Sequence, residues 1–119
     1  MSEFTIRSKI WIEDHQGQVV FGLGRYRILD SVRRKGSLQG AAKELKMSYR
    51  AVWCRIRASE ERMGRALVIR RGRGSGLTPF AEQLMKQFRR LRRIVESESD
   101  EVYDGLMADE LKPEGAETT

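Results

Sequence analysis

The chain has 119 residues, of which 39% are hydrophobic and 34% are charged. A chain of this length supports one domain with a single core, and no apolar run approaches the roughly 20 residues that span a bilayer. The single cysteine excludes an internal disulfide, and the first five residues lack the features of a secretory signal. We therefore expect a soluble protein in the cytoplasm, without membrane contact.

The formal net charge of +6 is unevenly distributed along the chain. Residues 96–119 contain nine acidic side chains and one lysine, a net charge of −8, so the preceding residues carry +14. A folded region this basic attracts polyanions, above all nucleic acids. We interpret residues 99–119 as an acidic, partly disordered tail and predict no structure from Asp109 onward.

At the amino terminus the pattern predicts a β-hairpin. Apolar and polar residues alternate from Ile6 to Ile12, and a polar stretch separates them from an apolar run at 19–21. Leu23 then opens a segment whose apolar residues fall on one helical face, before Gly36 ends it. A first helix is therefore expected to follow the hairpin directly.

Two closely spaced helices are predicted between residues 37 and 64. Ser37 is placed as the N-cap of a two-turn helix, and Lys46-Met47 then breaks the pattern. Ser48 is placed as the cap of the next helix, which ends at Gly64. The expected buried stripe of that helix is Val52, Ile56 and Met63. Two helices joined by a short turn can present the second one to the major groove of DNA.

A second hairpin and a long helix complete the predicted fold. Residues 67–70 are expected to form a strand, Arg71 to Gly76 a glycine-rich loop, and Leu77-Thr78 a short return strand. Thr78 and Pro79 favour the start of an amphipathic helix at about 79–98. The predicted fold is mainly α with small β, a winged helix-turn-helix over residues 1–98 with an amino-terminal β-hairpin and a long carboxy-terminal dimerisation helix.

The proposed DNA-reading surface is the face of the second helix-turn-helix helix that lies opposite its buried stripe. Arginine can donate two hydrogen bonds to guanine, and aromatic side chains can pack on thymine methyl groups or on the sugar-phosphate chain. The second predicted hairpin, with its glycine-rich loop at 71–76, would form the wing beside this helix, and arginines on the wing can reach the minor groove or the backbone. Eight arginines between residues 50 and 73 add potential phosphate contacts. The candidate DNA-contacting residues are Ser37, Ser48, Tyr49, Arg50, Trp53, Cys54, Arg57, Arg71 and Arg73.

Simpler interpretations of these residues remain open at the level of sequence. Trp53 could be a core aromatic, and Tyr49 and Arg50 could be solvated surface residues. Cys54 could be a semi-buried filler, and the loop at 71–76 a flexible basic hairpin tip. The glycine spacing of that loop matches neither the dinucleotide fingerprint nor the P-loop, so a nucleotide site is not indicated.

The long helix carries an apolar stripe that predicts self-association. Its members are spaced by four, four, three and four residues: Phe80, Leu84, Phe88, Leu91 and Val95. The stripe could pack on its own domain, but a helix of this length would project beyond so small a domain. We expect a symmetric homodimer, with two recognition helices about one turn of DNA apart.

The run from Gly36 to Trp53 resembles the amino-terminal DNA-binding domain of ModE-type molybdate-dependent regulators. The most distinctive part is Ser48-Tyr49, followed by the basic Arg50 and then by Trp53. The wider pattern, over about residues 20 to 95, is similar to the LysR-type winged helix. The resemblance implies a homodimer on a palindromic operator, with these four residues on the recognition helix.

The sequence departs from the molybdate-regulator pattern in two ways. An acidic tail stands where that family has an oxyanion-binding domain, so molybdate sensing is not expected of this chain. A hairpin also stands at the amino terminus, where the best-known members have a helix.

The residues that could support catalysis or metal binding are not grouped in this sequence. The lone histidine, His15, has no cysteine, histidine or paired carboxylate at ligand spacing. We predict a protein that is not an enzyme and has no cofactor or metal. The predicted function is that of a prokaryotic, sequence-specific regulator of transcription that binds double-stranded DNA. The alternatives are a non-specific architectural DNA-binding protein and a protein-protein adaptor.

Overall fold

The computed structural model describes residues 4–111, which divide into two units. One unit is Ile10–Gln87, and the other combines the described parts of Met1–Lys9 and Phe88–Thr119. The predicted fold class is confirmed, because the chain is mostly helical with two small sheets. In chain order the elements are β1 (Trp11–Glu13), β2 (Val19–Gly22), α1 (Leu23–Lys35), α2 (Leu38–Leu45), α3 (Tyr49–Met63), β3 (Val68–Arg71), β4 (Gly74–Leu77), α4 (Pro79–Val102) and a π-helical turn (Tyr103–Met107).

Strands β1 and β2 form the predicted amino-terminal hairpin. They are antiparallel, and the Asp14 carboxylate closes their connection by accepting hydrogen bonds from the amides of Gln16 and Gln18, each at 2.9 Å. The prediction that the first strand begins at Ile6 was wrong, since only Trp11–Glu13 is paired. Strand β2 has just four residues before α1 begins, so it offers no partner for a longer strand.

The helix-turn-helix has the boundaries that its caps predict. Gly36 ends α1 in the left-handed conformation, at φ 74°. The Ser37 hydroxyl oxygen accepts a hydrogen bond from the amide of Gly40 at 2.9 Å, and Ser48 accepts one from Ala51 at 3.0 Å. Lys46 connects α2 to α3 at φ 55°, so the turn between the two helices is only three residues long.

The core of the Ile10–Gln87 unit lies where its helices and hairpins converge. Two buried serines in it have partners. The Ser31 hydroxyl donates to Glu44 at 2.5 Å, and Ser59 accepts from Arg25 Nε at 3.2 Å. Met63, predicted to be buried, is only half-buried at the end of α3. Its apolar side chains include Phe21, Ile28, Leu29, Val32, Leu38, Val52, Ile56, Leu67, Leu77 and Met85.

The second hairpin is tighter than the sequence suggests. Strands β3 and β4 pair from Val68 with Leu77 to Arg71 with Gly74, which leaves only two residues in the turn. The predicted loop from Arg71 to Gly76 was therefore too long. The amide of Ser75 donates to the carbonyl oxygen of Gly36 at 2.8 Å, and Gly74 has no side chain to obstruct this contact. The glycines allow strand pairing and close approach here instead of ending the strand.

Helix α4 begins as predicted and extends past its expected end. The Thr78 hydroxyl oxygen accepts from the amide of Ala81 at 3.0 Å, and Pro79 is the first helical residue. The helix continues to Val102 and is followed by the π-helical turn, so the first residues of the expected acidic tail are helical. Residues 112–119 of that tail lie outside the described residues. Across residues 4–111, no helix combines the length and apolar character that a membrane crossing requires.

Candidate nucleic-acid interface

The face of α3 opposite its core-facing stripe is accessible. Val52 and Ile56 are buried, whereas Tyr49 and Trp53 are 49% and 44% exposed. The alternative in which Trp53 packs in the core is therefore wrong. Helical geometry places five exposed residues of the first three turns on one continuous arc, and the exposed Arg55 lies outside it. The residues of the arc are Tyr49, Arg50, Trp53, Cys54 and Arg57.

A groove of about 540 Å³ separates this helix from the wing. One wall is the start of α2 with α3, and the other is β3 with β4. It brings together five of the nine predicted DNA-contacting residues, and it adds Arg70, which the sequence reasoning did not single out. The side chains that matter here are Ser37, Tyr49, Trp53, Arg57, Arg70 and Arg73.

The remaining predicted contact residues lie outside the groove lining. Arg50 and Cys54 are exposed on α3, and Ser48 is exposed at its cap. Arg71 lies along the wing, where its guanidinium covers the backbone of Gly76. A Cβ at Gly76 would be only 2.9 Å from Arg71 Cζ.

Three side chains, Trp53, Arg57 and Glu60, lead in turn from the exposed arc of α3 to the wing, and sequence reasoning missed the last of them, Glu60. The Arg57 guanidinium lies 5.5 Å from the centre of the Trp53 ring, and its Nη1 donates to Glu60 Oε1 at 3.3 Å. Glu60 Oε2 accepts from the amides of Leu67 and Val68 at 2.8 and 3.2 Å. The sequence signal that could have pointed to Glu60 was a pair of acidic residues, Glu60 and Glu61, among eight arginines.

Some of those eight arginines stabilise the fold. Arg62 Nη1 donates to the carbonyl oxygen of Val19 at 2.5 Å, which ties α3 to the first hairpin. The guanidinium of Arg65 covers the ring of Phe80 at 4.1 Å. These two guanidinium groups already have partners within the chain, so the count of arginines overstates the number available for phosphate contacts.

The predicted dimerisation residues fall into two groups. Phe88 is 3% exposed and Phe80 is half-buried, so both have a role within the chain. Leu91 is 46% exposed, while Leu84 and Val95 are half-buried. The same helix also exposes Ile94 and Val102, which the predicted stripe did not include.

A short turn joins α2 to α3, the first half of α3 is exposed and basic, and a basic hairpin lies beside it. These features define a winged helix-turn-helix DNA-binding domain. A comparison with protein families supports this class, because residues 23–82 match the bacterial regulatory helix-turn-helix proteins of the lysR family. The chain belongs to that family. The helix-turn-helix within residues 23–82 is thus the DNA-binding domain of a lysR-type transcriptional regulator.

Known proteins from three organisms are similar to this chain in sequence. An uncharacterized HTH-type transcriptional regulator of Mycobacterium bovis is 36% identical over 94 residues, which cover 79% of this chain and 28% of the relative. The molybdenum transport protein ModE of Azotobacter vinelandii is 30% identical over 87 residues, covering 69% and 32%. The transcriptional regulator ModE of Haemophilus influenzae is 34% identical over 77 residues, covering 60% and 30%. The matches therefore span about a third or less of the length of these relatives.

Solved structures share the fold. The DNA-binding domain of CbnR, solved in complex with DNA, has a TM-score of 0.57 at 23% identity, covering 71% of this chain and 97% of that one. Full-length LysG of Corynebacterium glutamicum with bound effector Arg has a TM-score of 0.54 at 28% identity, covering 75% and 30%. Within residues 4–111, no group of three or more His, Cys, Asp or Glu is placed to hold a metal ion.

Proposed function

We propose that this chain binds a specific palindromic operator in double-stranded DNA as a homodimer and regulates transcription. The observation that carries this proposal is the exposed first half of α3 beside a groove and a basic wing. The fold matched in the CbnR structure is one that was solved with DNA. Major-groove insertion of α3 would bring its exposed arc to the base edges.

Base recognition is assigned to the arc on α3. Arg50 makes no ion pair with any residue in the described part of the chain, so its guanidinium is available for a bidentate contact with guanine. Trp53 and Tyr49 offer apolar rings to thymine methyl groups or to deoxyribose. Arg57 and Cys54 complete the arc, with Arg57 positioned over the Trp53 ring.

Phosphate contacts are assigned to the groove and the wing. The hydroxyls of Ser37 and Ser48 cap helices through their oxygen atoms, and each retains a proton to donate to a phosphate. Arg73 lies in the two-residue turn of the wing, where its side chain is exposed. Arg71 is exposed on the preceding strand. Such contacts fix the position of the protein on the duplex without reading sequence.

The homodimer is assigned to the apolar residues of α4. Leu91 and Ile94 are 46% and 51% exposed on a helix that also carries half-buried Leu84 and Val95. Burying two such side chains from water contributes about 1.5–3 kcal/mol each when the burial is complete. A second copy supplies the same surface with two-fold symmetry, which matches a palindromic operator.

We further propose that the DNA-reading surface of α3 is of the ModE type. Two relatives of that name are 30% and 34% identical to this chain. The distinctive Tyr49-Arg50 pair and Trp53 all lie on the exposed arc of α3. We expect that molybdate leaves the DNA affinity of this chain unchanged, because the winged helix alone performs the reading.

The test is a fluorescence-anisotropy titration against a duplex selected from a random library and a scrambled version of it. Two salt concentrations are compared, with and without molybdate. We expect a preference of roughly a hundredfold or more for the selected duplex that persists at the higher salt. Equal binding that collapses with salt would replace this proposal with an architectural role. Arg50→Ala should remove the preference, whereas Arg27→Ala, an exposed arginine on α1, should not.

A further inference from the structure

Glu60 occupies the junction between the recognition helix and the wing. Its side chain is only 11% exposed, and both carboxylate oxygens are hydrogen-bonded. Oε1 accepts from Arg57 at 3.3 Å, and Oε2 accepts from the amides of Leu67 and Val68 at 2.8 and 3.2 Å. A largely buried carboxylate needs such partners, because an unpaired one would be expensive to desolvate.

The two amides that Glu60 accepts from lie where the wing begins. Leu67 is fully buried, and Val68 is the first residue of β3. The carbonyl oxygen of Leu67 in turn accepts from the amide of Thr78, at the end of the same hairpin. One carboxylate therefore holds the base of the wing against the last turn of α3.

The other oxygen of Glu60, Oε1, contacts Arg57 on the exposed arc of α3. Arg57 is 51% exposed, so its long side chain would otherwise sample several rotamers. The hydrogen bond from Arg57 to Glu60 holds the guanidinium over the Trp53 ring, 5.5 Å from its centre. All three of these α3 side chains line the groove between the helix and the wing.

We propose that Glu60 is a positioning residue for DNA recognition: it holds Arg57 against Trp53 and sets the separation of α3 from the wing, and so supports sequence discrimination. This inference rests on the proposed function, since it assumes that the groove receives DNA. Pre-organised contacts discriminate better than mobile ones, because ordering the side chain no longer opposes binding.

Glu60→Gln separates the contact of this side chain with Arg57 from its contact with the wing amides. The amide oxygen of glutamine can still accept from both wing amides, so the wing stays attached. Its amide nitrogen, however, faces the Arg57 guanidinium, and two donors cannot share a hydrogen bond. Glu61→Gln is the matched control, because it removes the same charge from the exposed neighbouring position.

The first measurement uses the free protein. In a Trp11→Phe background Trp53 is the only tryptophan left, and it is excited selectively at a wavelength that tyrosine does not absorb. Acrylamide quenching of its emission reports how far its ring is covered. We expect Glu60→Gln to raise the quenching constant to that of Arg57→Ala, and Glu61→Gln to leave it unchanged. A quenching constant for Glu60→Gln equal to that of the parent would overturn the positioning role.

The second measurement uses the selected and scrambled duplexes. Glu60→Gln should lower the ratio of the two affinities by about tenfold, and combining it with Arg57→Ala should add no further loss beyond that of Arg57→Ala alone. Additive losses, or an unchanged ratio, would contradict the proposal. If the parent protein shows no preference between duplexes, the proposed function fails, and the quenching result alone then decides whether Glu60 positions Arg57.

Discussion

Replacing Gly74 with alanine is expected to displace the wing from the corner between α1 and α2. A Cβ at this position would lie 2.1 Å from the carbonyl oxygen of Gly36, and real Cβ contacts essentially never fall below 3.0 Å. The obstacle is backbone, which cannot rotate away as a side chain can. The amide of Ser75 donates to the same oxygen at 2.8 Å, so the strand cannot retreat without lengthening that bond.

The expected cost follows from these two distances. The strand must move by about 1 Å, and forcing an extra carbon into a packed contact typically costs about 1–3 kcal/mol. Moving away relieves the clash but gives up a hydrogen bond with a net value of roughly 0.5–1.5 kcal/mol. We therefore expect Gly74→Ala to lower the free energy of unfolding by about 1–3 kcal/mol.

Urea unfolding followed by circular dichroism measures this change. Gly24→Ala is the matched control, because a Cβ there meets nothing within 4 Å and the position is helical. That variant should gain about 0.5–1 kcal/mol. A free energy of unfolding for Gly74→Ala within about 0.5 kcal/mol of the parent value would refute the reasoning, since surface changes commonly stay within that range.

Three further predictions test the charges and the helix. Arg73→Ala should reduce the slope of log affinity against log salt by about 0.9, the contribution of one phosphate contact; an unchanged slope in anisotropy titrations would remove the wing arginine from the DNA. A hydrogen bond from Arg34, followed by one from Ser31, lowers the pKa of Glu44 to about 2, from an ordinary 4.5. The stability that this carboxylate contributes is present above pH 4.5 and is lost as the pH falls toward 2. Glu44→Gln should therefore make the urea midpoint of unfolding depend less on pH over that interval than it does in the parent. If the midpoints of the variant and the parent declined in parallel, Glu44 would not be the source of the loss. Leu91→Glu should shift the mass measured by light scattering toward the monomer, and Ser97→Glu, an exposed control on α4, should not.

Helix boundaries were predictable because their causes are local in sequence. Ser37, Ser48 and Thr78 each bond the amide three residues ahead, and Gly36 and Gly64 take positive φ at the helix ends. The exposed arc of α3 followed from helical periodicity once the buried stripe was identified. These features need no knowledge of how distant parts of the chain meet.

The errors arose where distant contacts decide the structure. The glycines at 74 and 76 looked like a loop, but the carbonyl oxygen of Gly36 gives β4 a place to dock. The strand expected from Ile6 stopped short because its partner strand was limited by the start of α1. Glu60 was missed for a similar reason, since nothing in its sequence neighbourhood shows that a side chain on α3 will accept two amides from the wing.

The hydrogen bond from the Ser75 amide to the Gly36 carbonyl oxygen also offers a way to follow the opening of the wing, through the exchange of that amide proton. It joins residues 39 positions apart, and α2 and α3 lie between them in the chain, so this bond closes a long loop. We expect amide exchange at Ser75 to require the wing to detach without requiring the helices to unfold, because its acceptor lies outside the wing. The exchange rate of this single proton therefore measures how often the wing lifts from the helix-turn-helix, and bound DNA that holds the wing in place should slow it.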